Sequence, residues 1–303
     1  MLSRADNLKD KYLESPLETL DAAGVKYRYF PAGDYSWQEQ FPDYHFPATH
    51  SVLHEGSTAG MINPRKLIKA QLMLSERQGA SVLANQVIEL KETNAGVELI
   101  CEDQSSFQAQ KVLLCAGAFT NFYNLLPRRL ALSLKTETVL LAEVSAEDAL
   151  RLKTIPTVSY SIIHPQISDI YLTPAAQYED GRYYFKMGAN TFADTFPTNL
   201  KLVQAWFQSG NSDTCLSVLK EAIKSILPGI SFLSFKTRRC IVTRTPGGYP
   251  MIDQVSNRIF VATGGNGVGA KTSDSLAFLA AGLSFDESWP EVIEKEPFKV
   301  VYE

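Results

Sequence analysis

The residues best placed to do chemistry lie near the end of the 303-residue chain, in the run TGGNGVGAKT at 263–272. Ile259, Phe260, Val261 and Ala262 precede it, and a Leu- and Ala-rich stretch follows to 283, so the segment reads as strand, glycine turn and helix. Small side chains let a large ligand reach the backbone. The positive end of the following helix favours an anionic or electron-rich group. Two phosphate-binding patterns can be tried here. In a Walker A loop, Gly264 and Gly269 have the right spacing, but Ala270 stands where the lysine belongs and Lys271-Thr272 come one residue late. The dinucleotide pattern GxGxxG/A fits Gly265, Gly267 and Ala270. It also requires a second buried strand ending in an acid, and Gly282-Leu283-Ser284-Phe285 before Asp286 is no such strand. Tight strand-to-helix packing through the glycines is the structural alternative.

Other reactive side chains are scattered. His45, His50 and His54 fall in a proline- and aromatic-rich stretch, 31–57, at spacings that share no helix face. They read as partly exposed loop residues rather than metal ligands, and no metal is expected. Cys101, Cys115, Cys215 and Cys240 are spaced too irregularly for a zinc site or a disulfide framework. A net charge of −4 and a pI near 5.7 argue against nucleic acid and anionic membranes as partners. The longest apolar runs are too short to span a bilayer. The charged N-terminus lacks a secretory core, so a cytoplasmic location is expected.

The elements that must position these residues follow from periodicity. Residues 1–22 suggest a polar helix, 25–30 a strand, and 31–57 a loop. Asn63-Pro64 is a helix start and Gly79 a stop. Alternation at 81–84, 87–93, 96–102 and 107–109 predicts an antiparallel meander with a turn at 94–96. The run 111–115 is continuously apolar, as in a strand buried on both faces, and Ala116-Gly117-Ala118 follows it. Strands are expected at 135–144, 158–163, 169–173, 182–188 and 232–245, with Asp180-Gly181 as a hairpin turn. Helices are expected at 146–152, 200–208 and 214–226, and the tail from 286 is charged without a core strand. The fold class is α/β, with one layer interrupted by a long antiparallel block.

Several stretches in order resemble one family. They are TRTPGGYPMID (243–253), IFVATGGNGVGAKTSDSLAFLAAGL (259–283), VLLCAGAFTNFYNLLP (112–127), the run from Gly60 to Leu90 and, more loosely, IYLTP with RYYFKMG (170–188). Together they are similar to the D-amino-acid-oxidase-like FAD-dependent oxidoreductases, nearest the monomeric sarcosine oxidase branch, from about residue 55 onward. The resemblance implies an α+β two-domain flavoprotein. Its FAD-binding, Rossmann-like domain would comprise 58–134 and 246–303. The substrate domain would comprise 1–57 and 135–245, the latter as a mostly antiparallel sheet.

It also implies roles. Cys240 matches the cysteine of C-x-x-T-x-T-P that joins the flavin covalently, although related branches keep the motif and bind FAD without the bond. Arg238 and Arg239 beside it would favour the thiolate. Lys186 matches the lysine that promotes reaction with oxygen, Lys271 the one that binds the substrate carboxylate, and Tyr171 a substrate-pocket tyrosine. Val87 and Gly117 match cofactor-binding positions, as do Gly264, Gly265, Gly267, Val268 and Gly269, whose turn would meet the flavin pyrimidine edge. A family histidine four residues after the oxygen-activating lysine is Asn190 here. The implied reaction oxidises the C–N bond of an amino acid or N-methyl amino acid to an imine, with O2 reduced to H2O2.

The N-terminal GxGxxG unit of the family pattern has no match in this chain. Two expectations follow: a piece of a flavoenzyme, or an inactive, truncated relative acting as a binding protein. Either would expose apolar faces at Leu113 and Phe260, and a partner or missing segment would cover that sheet edge.

Overall fold

The computed structural model describes residues 2–5, 11–56 and 60–303. The chain opens with β1 (Leu2–Ala5), α1 (Lys11–Ala22), β2 (Tyr27–Phe30), α2 (Trp37–Gln40), β3 (His50–Glu55) and α3 (Pro64–Arg77). It continues with β4 (Val87–Glu92), β5 (Val97–Cys101), β6 (Ser106–Ala109), β7 (Val112–Leu114), β8 (Ser133–Val144), α4 (Ala146–Arg151) and β9 (Val158–Tyr160). Next come β10 (Ile167–Gln177), β11 (Tyr183–Thr191), α5 (Leu200–Ser209), α6 (Leu216–Ile226) and β12 (Ser234–Arg244). The last elements are β13 (Met251–Gln254), β14 (Ile259–Thr263) and α7 (Ser273–Ser284).

These elements fall into two units. Unit 1 comprises Met1–Ile62, Glu137–Asp194 and Ser209–Cys240; unit 2 comprises Asn63–Thr136, Thr195–Gln208 and Ile241–Glu303. Unit 1 is built on an eight-stranded sheet in the order β12-β8-β11-β10-β9-β1-β3-β2. Its β8–β11, β11–β10 and β10–β9 pairs are antiparallel, and β1 pairs with β9 in parallel. Alternation sends Phe185, Met187 and Ala189 into a core with Leu140, Ala142, Trp37 and the apolar face of α6. Tyr184, Lys186 and Gly188 therefore occupy the opposite face of β11. Unit 2 carries two small sheets, the antiparallel meander β4-β5-β6 and the set β13-β14-β7, in which β7 and β14 are parallel.

Local signals act as their chemistry dictates in several places. The Asn63 side chain accepts from the Arg65 and Lys66 amides, and Pro64 fills the first position of α3. Gly181, at φ 77°, closes the β10–β11 hairpin, where Tyr178 and Arg182 pair through their backbones. Ser145 caps α4 by accepting from the Asp148 amide.

The structure corrects other expectations. Residues 2–5 form β1 rather than helix, because they find an edge against β3 and β9, and Leu8 lies outside the described residues. The 31–57 stretch is not all loop: it contains α2 and β3. His50 and His54 are buried in β3, not exposed, with His54 edge-on to Phe41 and His50 beside Tyr160. Residues 81–84 form no strand. β7 is only half-buried, since it is the last strand of its sheet and pairs with β14 alone. Phe260 is buried, not exposed, and Leu113 packs against the core that α7 shares with Ile252. The charged tail contributes Trp289, Ile293 and Phe298 to that same core.

Candidate functional site

The candidate residues fall into two groups, one in each unit. In unit 2, the parallel strands β7 and β14 both run into small-residue corners at their C-terminal ends, the position where open α/β sheets bind ligands. The corners are locked together by buried hydroxyls. Thr120 Oγ1 lies 3.0 Å from Thr263 Oγ1 and donates to the Gly117 carbonyl at 2.8 Å. Gly117 has φ 52°, and nothing lies within 4 Å of where its Cβ would stand, so the backbone there is open to a neighbouring group.

The second corner owes its shape to a residue not singled out in the sequence. Asn266 adopts φ 51°, a left-handed value that asparagine tolerates better than most residues. Its Oδ1 accepts from the Thr245 amide at 2.9 Å, and its Nδ2 donates to the carbonyls of Gly264 at 2.6 Å and Gly248 at 3.1 Å. Its own amide donates to the Thr243 carbonyl at 3.0 Å. One side chain thus joins the TPGG segment (245–248) to the GGNGVG turn. The only sequence signal for it is an asparagine flanked by glycines, a turn pattern. Gly264, at φ 80°, abuts the Thr245 Cγ2 methyl, and a Cβ there would collide with it.

Within the turn, the Val268 amide donates to the Gly265 carbonyl and the Lys271 amide to that of Val268. Among the described residues, the amides of Gly267, Gly269 and Ala270 find no acceptor. Three unpaired donors within four residues are suited to an anionic or electron-rich ligand edge. Lys271 is exposed, and α7 begins at Ser273. Val87 opens β4 opposite Cys101 and belongs to the meander, not to the sheet that carries the glycine corners.

In unit 1, Lys186 and Tyr171 are brought together on one sheet face. Thr173 is the partner of Lys186 across β10–β11 and Tyr171 that of Gly188, so the two side chains are diagonal neighbours. The Lys186 ammonium lies 5.3 Å from the centre of the Tyr171 ring. Among the described residues no carboxylate pairs with it. Tyr171 covers Gly188 so closely that a Cβ there would collide with the ring's Cε1 and Cζ and the phenol oxygen. Burial, then the nearby Glu137, Cys240 and Tyr178, push its phenol well above the ordinary range, so it stays a neutral hydroxyl near pH 7. Cys240, half-buried in β12, packs, as Tyr178 does, against the cluster of Val139, Leu141 and Tyr184 on this face. Arg238 and Arg239 are exposed, and Arg239 Nε donates to the Gly210 carbonyl at 2.6 Å. Asn190 donates to Asp169 at 2.7 Å.

A match to the family described as DAO, FAD dependent oxidoreductase, extends over residues 3–283. The chain belongs to this family. Solved structures share the oxidoreductase's mixed helix-and-sheet architecture. NikD, described as an unusual amino acid oxidase essential for nikkomycin biosynthesis, superposes with a TM-score of 0.77 at 16% identity, covering 99% of this chain and 76% of its own. Glycine oxidase from Geobacillus kaustophilus gives 0.65 at 15% identity, with coverages of 99% and 74%. Amadoriase I from Aspergillus fumigatus, a fructosyl amine:oxygen oxidoreductase, gives 0.70 at 16%, with coverages of 98% and 68%. At such identities the likeness is one of fold. No curated protein matches the sequence.

Membership implies FAD, and unit 2 offers residues that fit it. The open backbone at Gly117 and the free amides of Gly267, Gly269 and Ala270 suit an electron-rich heteroaromatic edge. No helix among the described residues is long and apolar enough to cross a membrane.

Proposed function

We propose that this FAD-dependent oxidoreductase acts on the C–N bond of an amino acid or N-methyl amino acid. The observation that carries the reading is the half-buried Lys186 ammonium, set over an aromatic ring with no counter-ion among the described residues. Bound FAD would supply the two-electron acceptor and pass the electrons to O2. The free amides of Gly267, Gly269 and Ala270 would hold the electron-rich edge of the ring, with Gly264, Gly265, Val268, Gly117 and Val87 lining the remainder of the cofactor. Lys186 would keep a fixed positive charge where dioxygen gains negative charge. Lys271, an exposed cation with freedom to swing, would bind the substrate carboxylate. Tyr171 would stay protonated and orient the substrate by donating through its hydroxyl. Cys240 would form the thioether to the cofactor. On this reading 58–134 and 246–303 serve FAD, 1–57 and 135–245 serve the substrate, and the protein works in the cytoplasm.

The test compares flavin reduction and reoxidation separately in stopped flow. Lys186→Met should leave reduction by an amino acid largely intact and slow reoxidation by O2 by roughly 10²–10³-fold, the scale of losing one preorganised charge. Equal rates of reoxidation in both proteins would defeat the assignment. For Cys240→Ser, yellow colour that leaves with acid precipitation, where the parent retains it, would support the thioether.

A second reading, an interaction protein without catalysis, is favoured by α3. None of its residues is buried, and Ile68, Leu72 and Leu74 are exposed at 55%, 45% and 55%. Purified protein that is colourless and takes up no added FAD would decide for it.

A further inference from the structure

Unit 2 contains a cavity of about 200 Å³ that neither the glycine corners nor Lys271 occupies. Its lining is mixed: Phe122, Leu134 and Phe196 are apolar, Ser133 and Thr198 are polar, and Arg129 and Glu303 also line it. A space of this size suits one ring or a branched chain, being somewhat larger than an engineered cavity of about 150 Å³ that holds benzene. Arg129 grips the Glu303 carboxylate with two donors, Nε at 2.7 Å and Nη2 at 3.3 Å, while Nη1 donates to the Asn121 carbonyl at 3.1 Å. This forked geometry is the one guanidinium uses to recognise carboxylates. The pair is about half exposed, at 51% and 46% of the side chains, so it holds Glu303 only weakly.

We propose that this cavity is a binding site for a small monocarboxylate bearing an apolar ring or branched chain, whose carboxylate replaces that of Glu303 on the Arg129 fork. Glu303 shows where the ligand's charged end would sit, and the apolar part of the wall, Phe122, Leu134 and Phe196, would take its body. The site is distinct from the proposed substrate site, because its cation is Arg129 and not Lys271. Ala118 lines it one residue from Gly117, so an occupant would lie beside the first glycine corner.

The probe is 4-fluorophenylacetate, followed by ¹⁹F NMR titration into the full chain. Saturable binding should persist in Lys271→Met, which separates this site from the amino-acid site of the proposed reaction. Glu303→Gln should tighten binding by about two- to fivefold, the weight of one exposed ion pair. Arg129→Met should abolish it. Because Arg129→Met also removes a bond to Asn121, Ala118→Ile gives an independent arm: it fills the cavity, leaves the fork intact and should also abolish binding. Binding unchanged in Ala118→Ile, or lost in Lys271→Met and retained in Arg129→Met, would overturn the proposal, as would no saturable binding at all.

Discussion

Asn266 is the residue on which the glycine-rich turn depends. Four polar links run from it to Thr243, Thr245, Gly248 and Gly264, and no single one could hold both loops in register. Asn266→Ala should cost about 1–3 kcal/mol in urea unfolding, the range for stranding partly buried partners. Asn266→Asp restores the acceptor but not the amide donors and should recover only part of the loss. At Gly264 the cause is steric as well as conformational. Gly264→Ala should destabilise, and Thr245→Ser, which removes the methyl in its path, should recover part of that loss in a double-mutant cycle. Asp180 offers a test by pH. The Lys236 ammonium bonded to it at 2.8 Å, with help from Tyr184, holds its carboxyl down at about 2 against an ordinary 3.8. A depressed carboxylate contributes stability that is present above its unfolded pKa and lost as pH falls through the folded one. Between about pH 4 and pH 2 the parent should therefore lose stability faster than Asp180→Asn, as followed by urea midpoints at each pH.

At the scale of elements, α3 is the outlier. It has a good N-cap and a proline start, yet among its residues none is buried. A helix of 14 residues without tertiary support is marginal in water. Its amides should exchange with deuterium well before those of β8 and β11, and Asn63→Ala should accelerate that exchange further. Protection equal to that of the central strands would mean that something covers the helix. This element was fully legible in the sequence, because Asn63-Pro64 and Gly79 act through local backbone chemistry. The β10–β11 hairpin and the two small-residue corners were legible for the same reason. His50 and His54 were not: His50 is covered by Tyr160, 110 residues away, and His54 by Phe41, 13 residues back across a stretch with no regular spacing, so no local pattern reports either contact. β7 was misread for a related cause, since an apolar run cannot reveal how many neighbours a strand will find. Of the candidate site, the glycines and lysines could be named, whereas the Asn266 links required knowing that 245 and 266 meet.

For the whole molecule, the division into two units does not follow the chain once. Each unit is assembled from three stretches, and β8 and β12 each have residues in both. Trp37 is buried in the core of unit 1, and Trp289 packs into a core of unit 2. If the shared strands couple the cores, Trp37→Phe and Trp289→Phe proteins, each also carrying Trp206→Phe so that one tryptophan remains, should show fluorescence transitions with the same denaturant midpoint. Transitions separated in denaturant would show independent units. The family relation carries the same message at this scale, because the match runs over residues 3–283 and across every boundary between the units.

The buried contact between Thr120 and Thr263 has a consequence in time. The two residues are 143 positions apart, and the parallel strands they terminate, β7 and β14, pair over a similar separation. At about 5–20 residues per second, a ribosome would need roughly 7–30 s after making the first corner to deliver the second. Throughout that interval Val112, Leu113 and Leu114 have no β14 to pair with, and Gly117 has no Thr263 beside it. The nascent chain is thus exposed to chaperones, and to misassembly, at the corner proposed to hold the cofactor.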